Sequence, residues 1–388
     1  MEHVAPPTGY PVVGMIGGGQ LARMTQQAAI ALGVGFAVLA ANKDDSAARV
    51  VPETMLGNPD DPQAALAFAG NCDVITFDHE QVAVDVLQTL TQAGVELQPG
   101  PGALQYAQDK IEMRNALTAA GLPCPAWLAW EEGMKVTEAG EQLGWPLVVK
   151  TSRGGYDGRG VWVVDDAEQL AEVLKGPLPA GARWLLEQKV EFEAELSAQV
   201  ARSASGQAVA YPVVRTVQTD GICTEVVCPA PGLSDDIAVM AQDLALQIAG
   251  QLGVVGMLAV EMFLTVDGVL VNELAMRPHN SGHWSIDGAV ASQFDNHLRG
   301  VLDLPLGSPQ RLAPWVVMVN VLGGNQPDMY RAYRHVMARD PELRVHMYGK
   351  EVRPGRKIGH VTVLGEDLDD LLERAHHAAD YLTGVIDE

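Results

Sequence analysis

The sequence predicts a multidomain chain of mixed α/β and α+β architecture. Three observations carry that reading. "VVGMIGGGQLARM" (residues 12–24) is an apolar run, a triple-glycine turn and a helical pattern, and a second apolar run follows at residues 35–40; this order is a βαβ unit. "WPLVVK" and "VWVV" flank the glycine-rich "TSRGGYDGRG", which reads as a hairpin with a long tip. Downstream, "ELSAQVARS", "AVAYPVV" and "TEVVCPA" alternate apolar and polar residues, as antiparallel strands do.

In chain order, residues 12–16 form a buried strand, 20–32 a helix, 35–40 a strand and "CDVITFD" (72–78) a later strand. "QPGPGALQYAQDK" combines turn chemistry with the opening of a helix, so a first αβ domain ends near residue 105. Residues 106–190 then make a small α+β lobe: the hairpin, the helix "AEQLAEVLK" and the departing strand "WLLEQKV". Residues 191–310 hold the antiparallel strands, a long helix over 234–252 and two apolar strands that each carry one glutamate, "MLAVEMFLT" and "VLVNELAMRPHNSGHW". "ASQFDNHLRGVL" is helical. Residues 311–388 add two or three strands and a closing helix. No internal repeat or low-complexity tract is visible.

With 388 residues, 47% hydrophobic and 19% charged, the composition is globular. The formal net charge of −23 repels nucleic acid and anionic membranes, so an anionic ligand must meet local cations. The four cysteines form no C-x-x-C pair, which argues against zinc and a disulfide framework and for a reducing cytoplasm. "MEHVAPPTGY" lacks the basic and apolar regions of a signal peptide. The long uncharged stretches contain Gln and Gly and read as a helix running into a strand, so no membrane partner is expected.

The glycine turn admits three readings. "GGGQLA" satisfies G-x-G-x-x-A, but the dinucleotide fingerprint also wants an acid at the end of the second strand. That place holds Leu39, Ala40, Ala41 and Asn42, and Asp44 comes too late. A purely structural tight turn, or a different phosphate-bearing ligand on the helix N-terminus, remains.

Glu261 and Glu273 sit in apolar strands, where a carboxylate needs a cation or hydrogen bonds. On neighbouring strands they could share a Mg²⁺, which takes one or two carboxylates plus substrate phosphates. Alternatively each pairs with a buried arginine such as Arg277. Lys150 ends the strand before the glycine-rich loop and suits a phosphate. Glu187 lies on the strand between lobes, whose main chain could read an adenine edge, and Glu195 could hold ribose hydroxyls or be an ordinary strand carboxylate. Lys350, Arg353, Arg356 and Lys357 are the densest basic cluster in the chain.

A Lys-ended strand, a glycine-rich hairpin loop, an acidic linker strand and two late strand glutamates, in this order, resemble the ATP-grasp enzymes. The resemblance implies an N-terminal Rossmann-like preATP-grasp domain, a small lid and a larger metal-binding domain. "GGGQLARM", "GYDGRG", "RPHNSGHW" and "YGKEVRPGRKIGHV" further resemble the carboxyaminoimidazole ribonucleotide synthase family, over about residues 12–383. That family carboxylates aminoimidazole ribonucleotide on its exocyclic amine with ATP and bicarbonate, through carboxyphosphate, in purine biosynthesis. The resemblance implies ATP contacts at Lys110, Lys150, Gly155, Tyr156, Asp157, Gly158, Arg159, Gly160, Glu187, Gln188, Lys189, Val190, Glu195, Gln218, Asn272 and Glu273. It implies metal on Glu261 and Glu273, with two Mg²⁺ ions expected and Mn²⁺ as an alternative. Tyr156, Asp157 and Arg159 fall at the reacting centre, with His279 and His283 orienting bicarbonate or taking a proton, unless one of the two only fixes its loop. Gln20, Glu80, Arg277, Lys350, Arg353, Arg356 and Lys357 fall to the ribonucleotide, whose place is then at the glycine turn. A homodimer is implied.

Two stretches depart from the family. "TFDHEQV" replaces an F-E-N-type segment and leaves Asp78 and Glu80 as alternative equivalents. "YPVVRTVQ" carries Thr216 and Gln218 where the family has Asn and His, which puts one ATP contact in doubt. A different ATP-grasp ligase and a non-catalytic nucleotide-binding regulator are the competing readings.

Overall fold

Val12–Ile16 is buried along its whole length because it is central in a four-stranded parallel sheet, ordered Glu53–Leu56, Gly35–Ala40, Val12–Ile16, Val74–Phe77. The computed structural model describes residues 9–155, 158–326 and 328–386. The helix Gln20–Leu32 returns the chain between the first two strands and ends at Gly33, whose φ of +72° closes the turn. The limits of 12–16, 20–32 and 35–40 are those expected; the strand expected over 72–78 spans Val74–Phe77, and Glu53–Leu56, Pro62–Ala69 and Val84–Gln92 carried no sequence expectation. The helix expected to open in "QPGPGALQYAQDK" is Lys110–Ala119, and a shorter one, Pro101–Gln108, precedes it. Asp109 leaves the helical region (φ −132°) and its carboxylate caps the second helix at Ile111 N and Glu112 N.

The small lobe is a four-stranded antiparallel sheet ordered Trp127–Ala129, Trp184–Gln188, Leu147–Thr151, Val161–Val164. The predicted hairpin is present, with Lys150 opposite Val161. Its loop closes tightly: Thr151 N donates to Gly160 O, and a Cβ on Gly155 would lie 2.8 Å from the carbonyl oxygen of Arg159.

A nine-stranded antiparallel sheet makes up the rest. Its path runs Gly268–Ala275, Gly256–Thr265, Ala194–Arg202, Val214–Thr219, Ile222–Cys228, Trp315–Leu322, Lys357–Gly365, Arg344–Met347, with Ala208–Ala210 beside Ala194–Arg202. The "RTVQ" stretch is thus a sheet strand, Val214–Thr219. The sheet runs on across residue 310, because Ile222–Cys228 pairs with Trp315–Leu322. The segments on either side share the sheet and part of its packing, since Val227 packs with Val317 and Val319. The helix Asp235–Gln251 packs Ala241, Leu244 and Ile248 against Leu258, Val260 and Val271. The helix Leu368–Thr383 packs Ala375, Ala378 and Leu382 against Val317, Val319 and Val361. Val316 and Met318 fall in a different cluster, with Trp284, so the strand Trp315–Leu322 is apolar on both faces. Among the described residues no helix is long and apolar enough to cross a membrane.

Candidate active site

A cleft of about 1030 Å³ opens between the small lobe and the nine-stranded sheet. On one side it is walled by Val148, Val161, Val163, Phe192 and Phe263, a set of apolar surfaces suited to a flat base. Phe192 stacks on Phe263 with ring centroids 4.8 Å apart. Gln188, Lys189, Val190, Glu195 and Gln218 complete that side, with Gly155 and Gly158 from the loop. Gln218 therefore stands on the wall, while Thr216, on the same strand, is buried. Arg215 points to Glu225 (3.1 Å) and adds no charge here.

Deeper in lie the cations. Lys150 Nζ is 2.7 Å from Glu187 and donates to Asn272 Oδ1 at 3.1 Å. Lys110 Nζ is 2.6 Å from Glu273. Burial opposes charge on Glu187, but Lys150 and Arg114 outweigh it and hold its carboxyl down at about 2. Glu273 is likewise disfavoured by burial and held below the usual carboxylate range by Lys110.

Glu261 and Glu273 face each other directly across the antiparallel pair. Burial first, then the neighbouring charges of Glu273 and Glu195, push the Glu261 carboxyl up to about 7. A carboxylate so shifted is short of positive charge, and two opposed carboxylates are hard oxygen donors that fit Mg²⁺. Among the described residues no group of three or more His, Cys, Asp or Glu is placed to hold a metal; Mg²⁺ commonly takes one or two carboxylates together with waters and substrate phosphates.

The other side of the cleft carries Glu80, Arg277, His279, Asn280 and Lys357. Arg277 does not serve the two strand glutamates. It donates through Nε to Glu80 at 2.7 Å, and Glu80 also accepts from Met276 N. Burial, then Arg277 and Lys357, lower the His279 imidazole to about 3, so the ring is neutral. The Ser281 backbone N–H donates to its Nδ1 at 3.4 Å, which leaves the proton on Nε2, the nitrogen 3.7 Å from Glu261. Ser281 Oγ is 2.9 Å from the same Nδ1 and 2.8 Å from Ser197 Oγ.

The glycine turn already holds an anion of the chain's own. Asp78 accepts from Gly19 N at 2.7 Å and from Ala22 N at 2.8 Å, which satisfies the helix N-terminus. Asp78 thus caps the turn, while Glu80 lines the cleft. Gln20 instead meets the basic motif, because Lys350 Nζ donates to its side-chain oxygen. That loop is fixed by Ser46 Oγ donating to Tyr348 O and by Tyr348 OH bonding His360 Nδ1.

Several expected residues lie off the cleft wall. His283 is fully buried, with Nδ1 accepting from Gln293 and its ring among Phe294, Tyr348 and His360; burial drives its pKa far down, as for a core histidine. Arg353 is exposed and pairs with Glu351. Arg356 is exposed, and Arg159 and Gly160 close the loop outside the lining. Tyr156 and Asp157 lie outside the described residues. Sequence reasoning missed Phe192, Phe263, His79 and Arg114. Phe263 had a signal, since period-two alternation puts it on the face of Glu261. Arg114 had none, because a mid-helix arginine reads as solvated.

Comparison with known proteins places this geometry. Residues 11–108 match the ribonucleotide synthetase preATP-grasp domain, 115–294 the ATP-grasp domain, and 316–374 the phosphoribosylaminoimidazole carboxylase C-terminal domain. The N5-carboxyaminoimidazole ribonucleotide synthase of Mycobacterium tuberculosis is 51% identical over 377 residues, covering 96% of this chain and 88% of the relative. That of Corynebacterium ammoniagenes is 41% identical, covering 97% and 93%. The fold is similar to a crystal structure of the ADP complex of an N5-carboxyaminoimidazole ribonucleotide synthetase, with TM-score 0.87 and 36% identity over 97% of this chain and 98% of that one. It is equally similar to the Aspergillus clavatus enzyme crystallised with ADP and 5-aminoimidazole ribonucleotide, with TM-score 0.87 and 32% identity over 96% and 98%.

Proposed function

The chain belongs to the N5-carboxyaminoimidazole ribonucleotide synthase family of ATP-grasp ligases, and from that premise we propose that it carboxylates the exocyclic amine of 5-aminoimidazole ribonucleotide, using ATP and bicarbonate and releasing ADP and phosphate. One observation carries the reading: a nucleotide-shaped apolar wall, two phosphate-ready lysines and a neutral histidine beside Arg277 and Lys357 share one cleft.

Bicarbonate is a poor electrophile. A bicarbonate oxygen attacks the γ-phosphorus, ADP leaves, and carboxyphosphate forms. The ribonucleotide amine then attacks the carbon, directly or as released carbon dioxide; the C–O bond to phosphate breaks, and the departing phosphate takes up the proton the nitrogen loses. Phosphoryl transfer needs positioning and charge neutralisation more than covalent help. Lys150 and Lys110 supply positive charge where the phosphates lie, and Asn272 fixes Lys150. His279 offers its Nε2–H to an oxygen of bicarbonate or carboxyphosphate, a role a neutral imidazole performs without adding charge. Arg277 and Lys357 attract the same anions. Bound on Glu261 and Glu273, Mg²⁺ supplies Lewis-acid neutralisation of the phosphate oxygens. Tyr156 and Asp157 keep the reacting-centre roles the family implies, whereas Arg159, exposed and off the cleft wall, is assigned none. Gln20 and Lys350 serve the ribonucleotide. Two Mg²⁺ ions and a homodimer complete the proposal and rest on the family alone; a cytoplasmic location rests on the unpaired cysteines.

The test is ADP release with ATP, Mg²⁺, bicarbonate and aminoimidazole ribonucleotide, leaving out each in turn. ADP formation should need Mg²⁺ and the ribonucleotide, and carboxylated product should need bicarbonate. Faster turnover with glycinamide ribonucleotide and formate would assign the chain to a different ATP-grasp reaction.

A further inference from the structure

Arg114 is fully buried in the helix Lys110–Ala119, yet it touches no ligand surface. Its guanidinium spends all three nitrogens on the site's scaffold. Nε donates to Glu187 Oε1 at 2.6 Å, Nη1 to Val271 O at 3.1 Å and Nη2 to Asn272 O at 2.9 Å.

Those two carbonyls mark an irregularity. Along the pair Gly256–Thr265 with Gly268–Ala275, Glu261 opposes Glu273, but Met262 opposes Val271. Asn272 is the extra residue of a bulge. In a regular strand, adjacent side chains point to opposite faces. The bulge re-aims one of them, so Asn272 and Glu273 both reach the cleft. A bulge also strands backbone groups outside the ladder. Arg114 takes the Val271 and Asn272 carbonyls with the two ends of one rigid fork.

The same fork reaches the small lobe. Glu187 is held between Arg114 and Lys150, and Lys150 also donates to Asn272 Oδ1. The four groups close a ring across two sheets and a helix. We propose that Arg114 is a positioning residue for the nucleotide site: it pins the bulge that turns Asn272 and Glu273 together into the cleft and, through Glu187, fixes where Lys150 meets the phosphates. The inference rests on the assignment of this end of the cleft to ATP.

Lysine cannot replace this group, because one ammonium cannot satisfy a carboxylate and two diverging carbonyls at once. Arg114→Lys should raise KM for ATP, and the Kd of Mg-ADP by calorimetry, by roughly 10- to 100-fold, the range of one charged hydrogen bond. KM for the ribonucleotide should stay unchanged. A merely structural role would lower the active fraction, or weaken both substrates alike, and either result overturns the proposal. Should Arg114→Lys fail to fold, Arg114→Met removes the guanidinium and leaves Glu187 paired with Lys150, so no buried ion is orphaned. It should fold and show the same nucleotide-specific loss; native Mg-ADP affinity in it overturns the proposal. Lys150→Ala is the control for the site itself. If it weakens Mg-ADP and Arg114→Lys does not, only the positioning role fails. If Lys150→Ala leaves Mg-ADP binding intact, the assignment of the site fails first.

Discussion

Two lysines are held by partners at opposite ends of the proposed site. Lys150 sits on Glu187 and Asn272, and Lys350 sits on Gln20. Lys150→Ala should therefore lower kcat/KM for ATP, and Lys350→Ala that for the ribonucleotide. A charge-assisted contact is worth roughly 1.5–3 kcal/mol, about 10- to 150-fold in each case. Initial rates with each substrate varied in turn decide it, and equal losses for both substrates would mean one lysine is misassigned. Lys150, Glu261 and Glu273 were legible because charge in an apolar strand is costly and must have a reason. His283 was not legible. Its motif neighbour His279 ends in the cleft, and only the Gln293 amide, which bonds both the His279 backbone and the His283 ring, decides which imidazole turns inward. Ten residues of sequence separation hide that choice. The Asp78 cap is equally hidden, since the strand end and the glycine turn it closes are 59 residues apart.

Elements with a strong period, such as Gln20–Leu32 and Ala194–Arg202, were readable from local pattern, but the strand expected over "AVAYPVV" is split into Ala208–Ala210 and Val214–Thr219. Val214–Thr219 is a strand because it fits between Ala194–Arg202 and Ile222–Cys228. The closing helix Leu368–Thr383 shows a further long-range tie: His376 Nε2 is 2.7 Å from Glu225 Oε2 on the strand Ile222–Cys228. The Glu225 hydrogen bond raises His376 above its usual 6.5. Burial opposes charge on Glu225, but His376 and Arg215 outweigh it and lower that carboxyl below 4.5. The histidine's contribution to stability is full below 6.5 and fades as pH rises through its raised value. The carboxylate's is full above 4.5 and fades as pH falls through its lowered value. The pair is strongest between those limits. His376 is half-exposed, so the effect is small, roughly 1 kcal/mol or less. His376→Ala should lower Tm at about pH 5.5, with the deficit shrinking towards pH 9. A deficit that is constant over this range would show that packing, not the ion pair, ties the helix down.

At the scale of the molecule, the nine-stranded sheet decides which parts can stand alone. Removing residues 311–388 takes away Trp315–Leu322, Arg344–Met347 and Lys357–Gly365 and leaves Ile222–Cys228 as a raw edge. Val227, fully buried against Val317 and Val319, would lie open on that edge. Long apolar edges template pairing with other chains. The cut also reaches the cleft. Asn320 and Asn280 exchange side-chain amide bonds of 3.0 and 2.7 Å, and Asn320 donates to Cys223 O at 2.9 Å. Asn280 belongs to the turn that presents His279, so the last segment props the reactive end of the site while supplying Lys350 and Lys357. A chain ending at residue 310 should therefore aggregate and, if kept soluble, should bind Mg-ADP far more weakly than the full chain. The apolar wall at the nucleotide end, built on residues before 310, would survive, but the sheet behind Gln218 would not hold its register without its neighbour. Size-exclusion chromatography with calorimetry on the fragment measures both. A monodisperse fragment with native Mg-ADP affinity would show that the sheet is two independent units joined at a seam, and that residue 310 is a true domain boundary.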